Sequence, residues 1–342
     1  MSLTCEPVHP APTRTGFFHA PVALPAGSTE RHLLGLEGLS ADAIHAILDE
    51  ADGFRQRWRL HGKAPVGELA GFEICNAFFE DSTRTRVSFE LAEQRLGATH
   101  TTFGVGGSSV SKGETLLDTM HTIAAMGVDC IVVRHPSSGA AATLARELDV
   151  AVVNAGDGMH EHPTQGLLDL LTLRDAWNGR FEGRRLAIVG DIAHSRVARS
   201  AIHGLLALGA EVTLAGPATL MPADVELLGV DVAPTVEDAC AGADGVMALR
   251  LQRERMECGK LPSLGEYARV WGINAARVAI LKPEGVVMHP GPMNRGVEIA
   301  ADVADGGRSR VLNQVENGVA VRCAVLVRSA RAARLSLEGR AA

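Results

Sequence analysis

The chain has 342 residues, more than one hydrophobic core usually serves, so two domains are expected. Its formal net charge of -7 lacks the basic surplus of a nucleic-acid binder, and 46% hydrophobic with 21% charged residues is the balance of a soluble globular protein. No run approaches the roughly 20 apolar residues of a membrane span, so neither nucleic acid nor a membrane is an expected partner.

Residues 1–30, rich in Pro, Thr and His, read as a flexible N-terminal extension without the basic-then-apolar order of a signal peptide. The six cysteines form no CxxC pair, which suits isolated reduced thiols in a cytoplasmic protein. Ser40 can cap a helix that carries Ile44, Ile47, Leu48, Ala51 and Phe54 at helical spacing. From there short apolar runs alternate with amphipathic stretches. Strands are expected at 74–79, 130–134, 151–154, 186–190, 212–215, 245–249 and 286–288, and helices near 84–96, 114–126, 138–147, 163–177, 195–208 and 235–242. That alternation predicts an α/β fold of parallel sheets covered by helices on both faces. A break near Asn178-Gly179 divides the chain into two similar-sized domains. The segment 311–337 reads as helical in its second part, carries Val319, Val321, Ala324, Val325 and Val327, and is expected to return to the first domain.

Seven segments carry chemistry. Phe79-Glu80-Asp81-Ser82-Thr83-Arg84-Thr85-Arg86 follows a strand and opens a helix, where free N–H groups and the helix dipole favour an anion. Its hydroxyls and the Arg84 fork suit phosphate oxygens, although a capped helix with surface arginines has the same letters. Lys112 lies in a Gly/Ser loop before a helix, where a lone lysine is often only solvated. Arg134 and Arg250 each stand at the C-terminal end of an expected strand, the edge at which open α/β sheets bind ligands. His162 and Gln165 fall three apart at a helix start and can point the same way. His160-Glu161-His162 lacks the HExxH spacing of a zinc helix, and no cysteine cluster accompanies it, so no metal is expected. Gly190 ends a strand like a dinucleotide fold, but the other two fingerprint glycines are missing; Arg196 lies instead where an anion could be clamped. In His289-Pro290-Gly291-Pro292 the prolines remove donors and leave carbonyl acceptors, which suit an NH2 group. No nucleophilic Ser/His/Asp arrangement is evident. Together these groups imply direct attack on an acyl phosphate held by electrostatics, without a cofactor.

In order, STRTR at 82–86, SKGET at 111–115, HPTQ at 162–165, GDIAHSRVARS at 190–200, LRLQRERM at 249–256 and HPGPMNRGVEI at 289–299 resemble the aspartate branch of the aspartate/ornithine carbamoyltransferase family. The match runs from about residue 31 to about 330; STRTR alone fixes only the wider family, and the last three segments fix the branch. The ornithine branch normally carries a cysteine in an HCLP segment, where this chain has His289-Pro290-Gly291-Pro292.

The resemblance implies a carbamoyl-phosphate-binding domain at 31–178, joined by the C-terminal helix 313–342, and an aspartate-binding domain at 179–312. It implies transfer of a carbamoyl group from carbamoyl phosphate to L-aspartate in de novo pyrimidine biosynthesis. Ser82, Thr83, Arg84 and Thr85 would hold the phosphate, and Thr85, Arg134 and His162 would polarise the carbonyl. Gln165 with the carbonyls of Gly291 and Pro292 would hold the NH2. Arg196 and Arg250 would clamp the aspartate carboxylates with help from Gln252, and Lys112 would reach a neighbouring site in a homotrimer that shares its active sites. Glu80 would bind Arg196 and Arg255 in the closed form. Some relatives associate with a separate regulatory chain, others with dihydroorotase; the sequence identifies a docking surface for neither.

Overall fold

The computed structural model describes residues 31–104, 114–251 and 263–341. Helix α1 (Ala41–His61) comes first. The first sheet follows with β1 (Glu73–Phe78), β2 (Thr99–Gly104), β3 (Cys130–His135) and β4 (Ala151–Asp157), connected through α2 (Thr83–Leu96), α3 (Leu116–Ala125) and α4 (Ala140–Glu147). Helix α5 (Pro163–Ala176) leads to the second sheet: β5 (Arg185–Val189), β6 (Glu211–Ala215), β7 (Asp231–Val232), β8 (Gly245–Ala248) and β9 (Val286–Met288). Its helices are α6 (Arg196–Ala207), α7 (Val236–Cys240), α8 (Leu264–Trp271), α9 (Ala275–Ala279) and α10 (Ala301–Ala304), and the chain closes with α11 (Val311–Ala341).

Both sheets are wholly parallel, in the orders β2-β1-β3-β4 and β7-β6-β5-β8-β9. The reason lies in the strand sequences: Ile131, Val132 and Val133 of β3 and Leu186, Ala187 and Ile188 of β5 are apolar on both faces and fully buried, as helices on each side require. The chain leaves β1 to build β2 on one side and then crosses to β3 on the other. It likewise leaves β5 for β6 and β7 before crossing to β8. Each sheet therefore has a switch point, β1/β3 and β5/β8, where the loops at the strand ends diverge and leave a crevice.

Ser40 caps α1 by accepting the Ala43 N–H at 3.2 Å, and the expected face of Ile44, Ile47, Leu48, Ala51 and Phe54 is buried. Helix α11 is helical from Val311 onward, not only in its second part. It packs against α1, α2 and α5, so the end of the chain belongs to the core of the first half. Arg55 of α1 stitches this layer, donating to Asp175 of α5 at 2.5 Å and to Asn317 of α11 at 2.8 Å. Among the described residues no helix is long and apolar enough to cross a membrane.

His32 anchors the first described residues to β4 by accepting the Val152 N–H on Nδ1 at 3.1 Å. Burial first, and then Arg31, push its pKa down to about 4. An imidazole so depressed contributes stability above its unfolded pKa of roughly 6.5 and loses it as pH falls towards the folded value. The melting temperature should therefore drop between pH 6.5 and about 4. His32→Asn, which keeps an acceptor but cannot take up the proton, should make that drop shallower in a thermal-melt series.

Candidate functional site

The two switch points face one another across a cavity of about 470 Å³. From the first sheet come the segment 80–85 after β1, Arg134 in β3, and His162 and Gln165 at the start of α5. From the second come Ser195, Arg196 and Val197 at the start of α6, Arg250 after β8, and the turn 290–292 after β9. The structure thus brings together Glu80, Ser82, Thr83, Arg84, Thr85, Arg134, His162, Gln165, Arg196, Arg250, Gly291 and Pro292 of the residues singled out from sequence. Lys112, Gln252 and Arg255 lie outside the described residues.

Ser82 is the N-cap of α2, its Oγ accepting the Thr85 N–H at 3.4 Å. A hydroxyl that accepts still has its proton to give, so Ser82 can cap the helix and donate into the cavity together. Arg84 lies over the turn after β9: a Cβ on Gly291, whose φ is +61°, would collide with its guanidinium. The Gly291-Pro292 peptide is cis. Burial, and after it the facing charge of Arg250, hold the Arg84 pKa below its ordinary value. Two cations set towards each other in a half-enclosed crevice favour an anion between them.

Arg134 donates to the Ala155 carbonyl at 3.2 Å and approaches Glu80 at 3.5 Å. Arg196 is the first residue of α6, behind the N-cap Ser195. Its guanidinium grips Glu80 at 2.8 and 3.2 Å and donates to the Gly158 carbonyl at 3.3 Å. Glu80 therefore bridges arginines from opposite halves of the chain. Gly156, with φ +115°, makes the approach possible: a Cβ there would lie 3.0 Å from Arg196 Nε and 3.2 Å from Arg134 Nη1. Gly156→Ala should cost about 1–3 kcal/mol from backbone strain alone and should displace both guanidiniums, so denaturant melts and turnover should fall together.

His162 is the N-cap residue of α5, fixed by its own N–H donating to Ser200 Oγ at 2.9 Å. Burial first, then Arg134 and Arg196, hold its pKa well below the usual imidazole range, so the ring is neutral at physiological pH. Its Nδ1 is buried without a hydrogen-bond partner among the described residues. Gln165 gives its amide nitrogen to Asp169 Oδ1 at 2.9 Å, which turns its oxygen the other way. The turn after β9 is braced by His289, which accepts the Gly291 N–H on Nδ1 at 2.8 Å and so carries its proton on Nε2, facing Glu298 Oε1 at 3.2 Å.

His160, Glu161 and Glu37 bring ligand-type atoms within 4.8 Å of one another. Their hydrogen bonds are structural. The Glu161 carboxylate accepts from the Leu36 and Glu37 N–H groups and the Ser200 hydroxyl, and His160 pairs with Asp157 at 3.1 Å. Asp157 also accepts the Gly139 N–H at the start of α4, which fixes the turn leading to His162.

Sequence reasoning passed over Ser195 and Val197 as cavity-lining groups. Ser195 had a signal, a serine at the very start of an expected helix. It also passed over Asp169, an acid in the apolar run Leu167–Leu173 whose neighbours are buried.

A family model described as the aspartate/ornithine carbamoyltransferase carbamoyl-P binding domain matches residues 31–175, and one described as the Asp/Orn binding domain matches 182–329. The aspartate carbamoyltransferase catalytic subunit of Gluconobacter oxydans is 55% identical over 306 residues, 89% of this chain and 97% of that protein. That of Myxococcus xanthus is 53% identical over 296 residues, 86% of this chain and 98% of its own. Among solved structures, Trypanosoma cruzi aspartate transcarbamoylase in complex with carbamoyl phosphate superposes with a TM-score of 0.78 at 32% identity, covering 86% of this chain and 95% of that one. Thermus thermophilus ornithine carbamoyltransferase does so with 0.77 at 26%, covering 89% and 99%. The chain belongs to the aspartate/ornithine carbamoyltransferase family.

Proposed function

We propose that this chain is an aspartate carbamoyltransferase, converting carbamoyl phosphate and L-aspartate to N-carbamoyl-L-aspartate and phosphate. The observation that carries the reading is the convergence of Arg84, Arg134, Arg196 and Arg250 with a neutral His162 in one cavity between two sheet switch points. Four guanidiniums suit a substrate pair bearing a phosphate and two carboxylates, and they repel a substrate whose side chain is cationic. The high identity to aspartate carbamoyltransferase catalytic subunits supports the same choice over ornithine.

In this reading the start of α2, with Ser82, Thr83, Arg84 and Thr85, takes the phosphate. Gln165 Oε1 and the carbonyls of Gly291 and Pro292 accept from the carbamoyl NH2. Arg196 and Arg250 receive the carboxylates of aspartate. The uncharged α-amine uses its lone pair to attack the carbonyl carbon. The C=O electrons move onto oxygen, where Arg134, Thr85 and the neutral imidazole of His162 stabilise the tetrahedral oxyanion. The oxyanion's electron pair then re-forms the C=O bond as the bond from carbon to the phosphate oxygen breaks, and phosphate leaves with the electrons of that broken bond and the proton lost by the amine. Residues 31–178 with the C-terminal helix serve carbamoyl phosphate, and 179–312 serve aspartate. The resemblance of the SKGET segment supports a homotrimer in which Lys112 completes a neighbour's site; its setting in this reading is the cytoplasm and its pathway pyrimidine synthesis.

The test is the purified chain with carbamoyl phosphate, assayed for ureido product with L-aspartate and separately with L-ornithine. Product with aspartate alone is expected. Product with ornithine alone would overturn the assignment of Arg196 and Arg250, and product with neither would overturn the reading as a whole. Light scattering on the same sample should return the mass of a trimer.

A further inference from the structure

Behind the cavity wall runs a buried chain of hydrogen bonds that the mechanism above does not use. Asp169 lies one turn after Gln165 on α5 and is 1% exposed. Its Oδ1 accepts from Gln165 Nε2 at 2.9 Å and from Gln314 Nε2 at 2.7 Å. Gln314 belongs to the first turn of α11, and its Oε1 accepts the backbone N–H of His289 at 3.0 Å. His289 in turn accepts the N–H of Gly291 at 2.8 Å. One continuous chain therefore joins Gln165 to the turn at 290–292, and both of its ends line the cavity.

A primary amide can present oxygen or nitrogen to a given neighbour, and the neighbour decides which. A carboxylate oxygen only accepts, so Asp169 Oδ1 takes the NH2 end of both glutamines. Its Oδ2 makes no hydrogen bond among the described residues, so a proton there leaves both Oδ1 bonds intact. Gln165 is thereby held as an acceptor towards the cavity. Without the acid its amide could turn over and set a donor against the substrate's donor.

We propose that Asp169 is a positioning residue that, by locking Gln165 as an acceptor, makes the cavity select a carbamoyl end over an isosteric acetyl end, with Gln314 extending the same constraint to the turn at 290–292. The proposal rests on the carbamoyl-phosphate reading of the cavity. It concerns discrimination at the acyl group and makes no demand on the phosphate subsite, which supplies an internal control.

The experiment measures dissociation constants of the full-length chain for carbamoyl phosphate, acetyl phosphate and inorganic phosphate by titration calorimetry. The proteins compared are the wild type, Asp169→Leu, Asp169→Asn and Gln314→Met. Asp169→Leu should weaken carbamoyl phosphate about 10- to 30-fold, the effect of one misdirected hydrogen bond, while acetyl phosphate and phosphate stay within roughly twofold. Asp169→Asn keeps an acceptor oxygen and should restore the carbamoyl preference. Gln314→Met should shift the same ratio by a smaller factor, and it carries the test should Asp169→Leu fail to fold. Equal weakening of all three ligands, or an unchanged ratio in both Asp169→Leu and Gln314→Met, would overturn the proposal. A wild type that binds carbamoyl phosphate without carbamoylating aspartate would sink the proposed function, and the binding ratios would still judge the network.

Discussion

Arg134→Ala should lower kcat by about 100- to 1,000-fold, the usual consequence of removing one donor from an oxyanion site. The residue at the end of β3 is held on one side by the Ala155 carbonyl and approached on the other by Glu80, so its guanidinium is placed before substrate arrives. One of its helpers is His162, whose ring burial and neighbouring arginines keep neutral. In the proposed reaction the formal positive charge facing the developing oxyanion therefore falls to Arg134. Because that negative charge grows only as the amine attacks, the loss should fall mainly on kcat, with KM for carbamoyl phosphate changed by no more than about fivefold. Arg134→Lys keeps the charge but not the planar fork and should lie between the two. Steady-state kinetics at saturating L-aspartate decide the matter; a kcat loss below tenfold in a variant with wild-type melting behaviour would remove Arg134 from the assigned role.

The architecture was legible where burial left its mark on the letters. Parallel strands packed on both faces must be apolar runs, and all seven expected strands are found, with ends shifted by a few residues at most. Strand β2 was not foreseen because it is an exposed edge, Thr-His-Thr-Thr-Phe-Gly, with no residue fully buried; its place is fixed by register with β1. Strand β7 is two exposed residues long and carries almost no pattern. The first turns of α11 were missed because Leu312 is 82% and Val315 51% exposed, so apolar residues on the outer face blur the helical period there.

The site was legible to a different depth. Arginines at strand ends, hydroxyls before a helix and His162 three residues before Gln165 each follow a local rule, and the cavity gathers them. Asp169 and Gln314 follow none. Their bond links positions 145 residues apart and depends on α11 folding back across α5, a fact of tertiary packing alone. The same holds for the second role of Gly156: beyond its strained φ of +115°, its lack of a side chain makes room for Arg134 and Arg196, which come from different halves of the chain.

Glu80→Ala tests that convergence directly. Glu80 follows β1, Arg196 opens α6, and their paired contacts at 2.8 and 3.2 Å join the two halves at the cavity, with Arg134 3.5 Å from the same carboxylate. Removing the acid leaves two crowded guanidiniums without their shared counter-charge. Truncating one partner of a buried charged pair costs about 2–5 kcal/mol, and the 26% exposure of the Glu80 side chain places this case at the low end. The expected result is a fall of about 10- to 100-fold in kcat/KM for L-aspartate, since each tenfold step is about 1.4 kcal/mol. The direction of KM separates two roles for the ion pair. A rise in KM for L-aspartate means that Glu80 holds Arg196 in the orientation that receives the substrate carboxylate. A fall in KM means that Glu80 competes with aspartate for the same guanidinium and must release it before the substrate binds. The present geometry favours the rise, because Glu80 engages both terminal nitrogens of Arg196 at 2.8 and 3.2 Å, and its loss leaves the guanidinium free to turn about the longer contact of Nη1 with the Gly158 carbonyl at 3.3 Å.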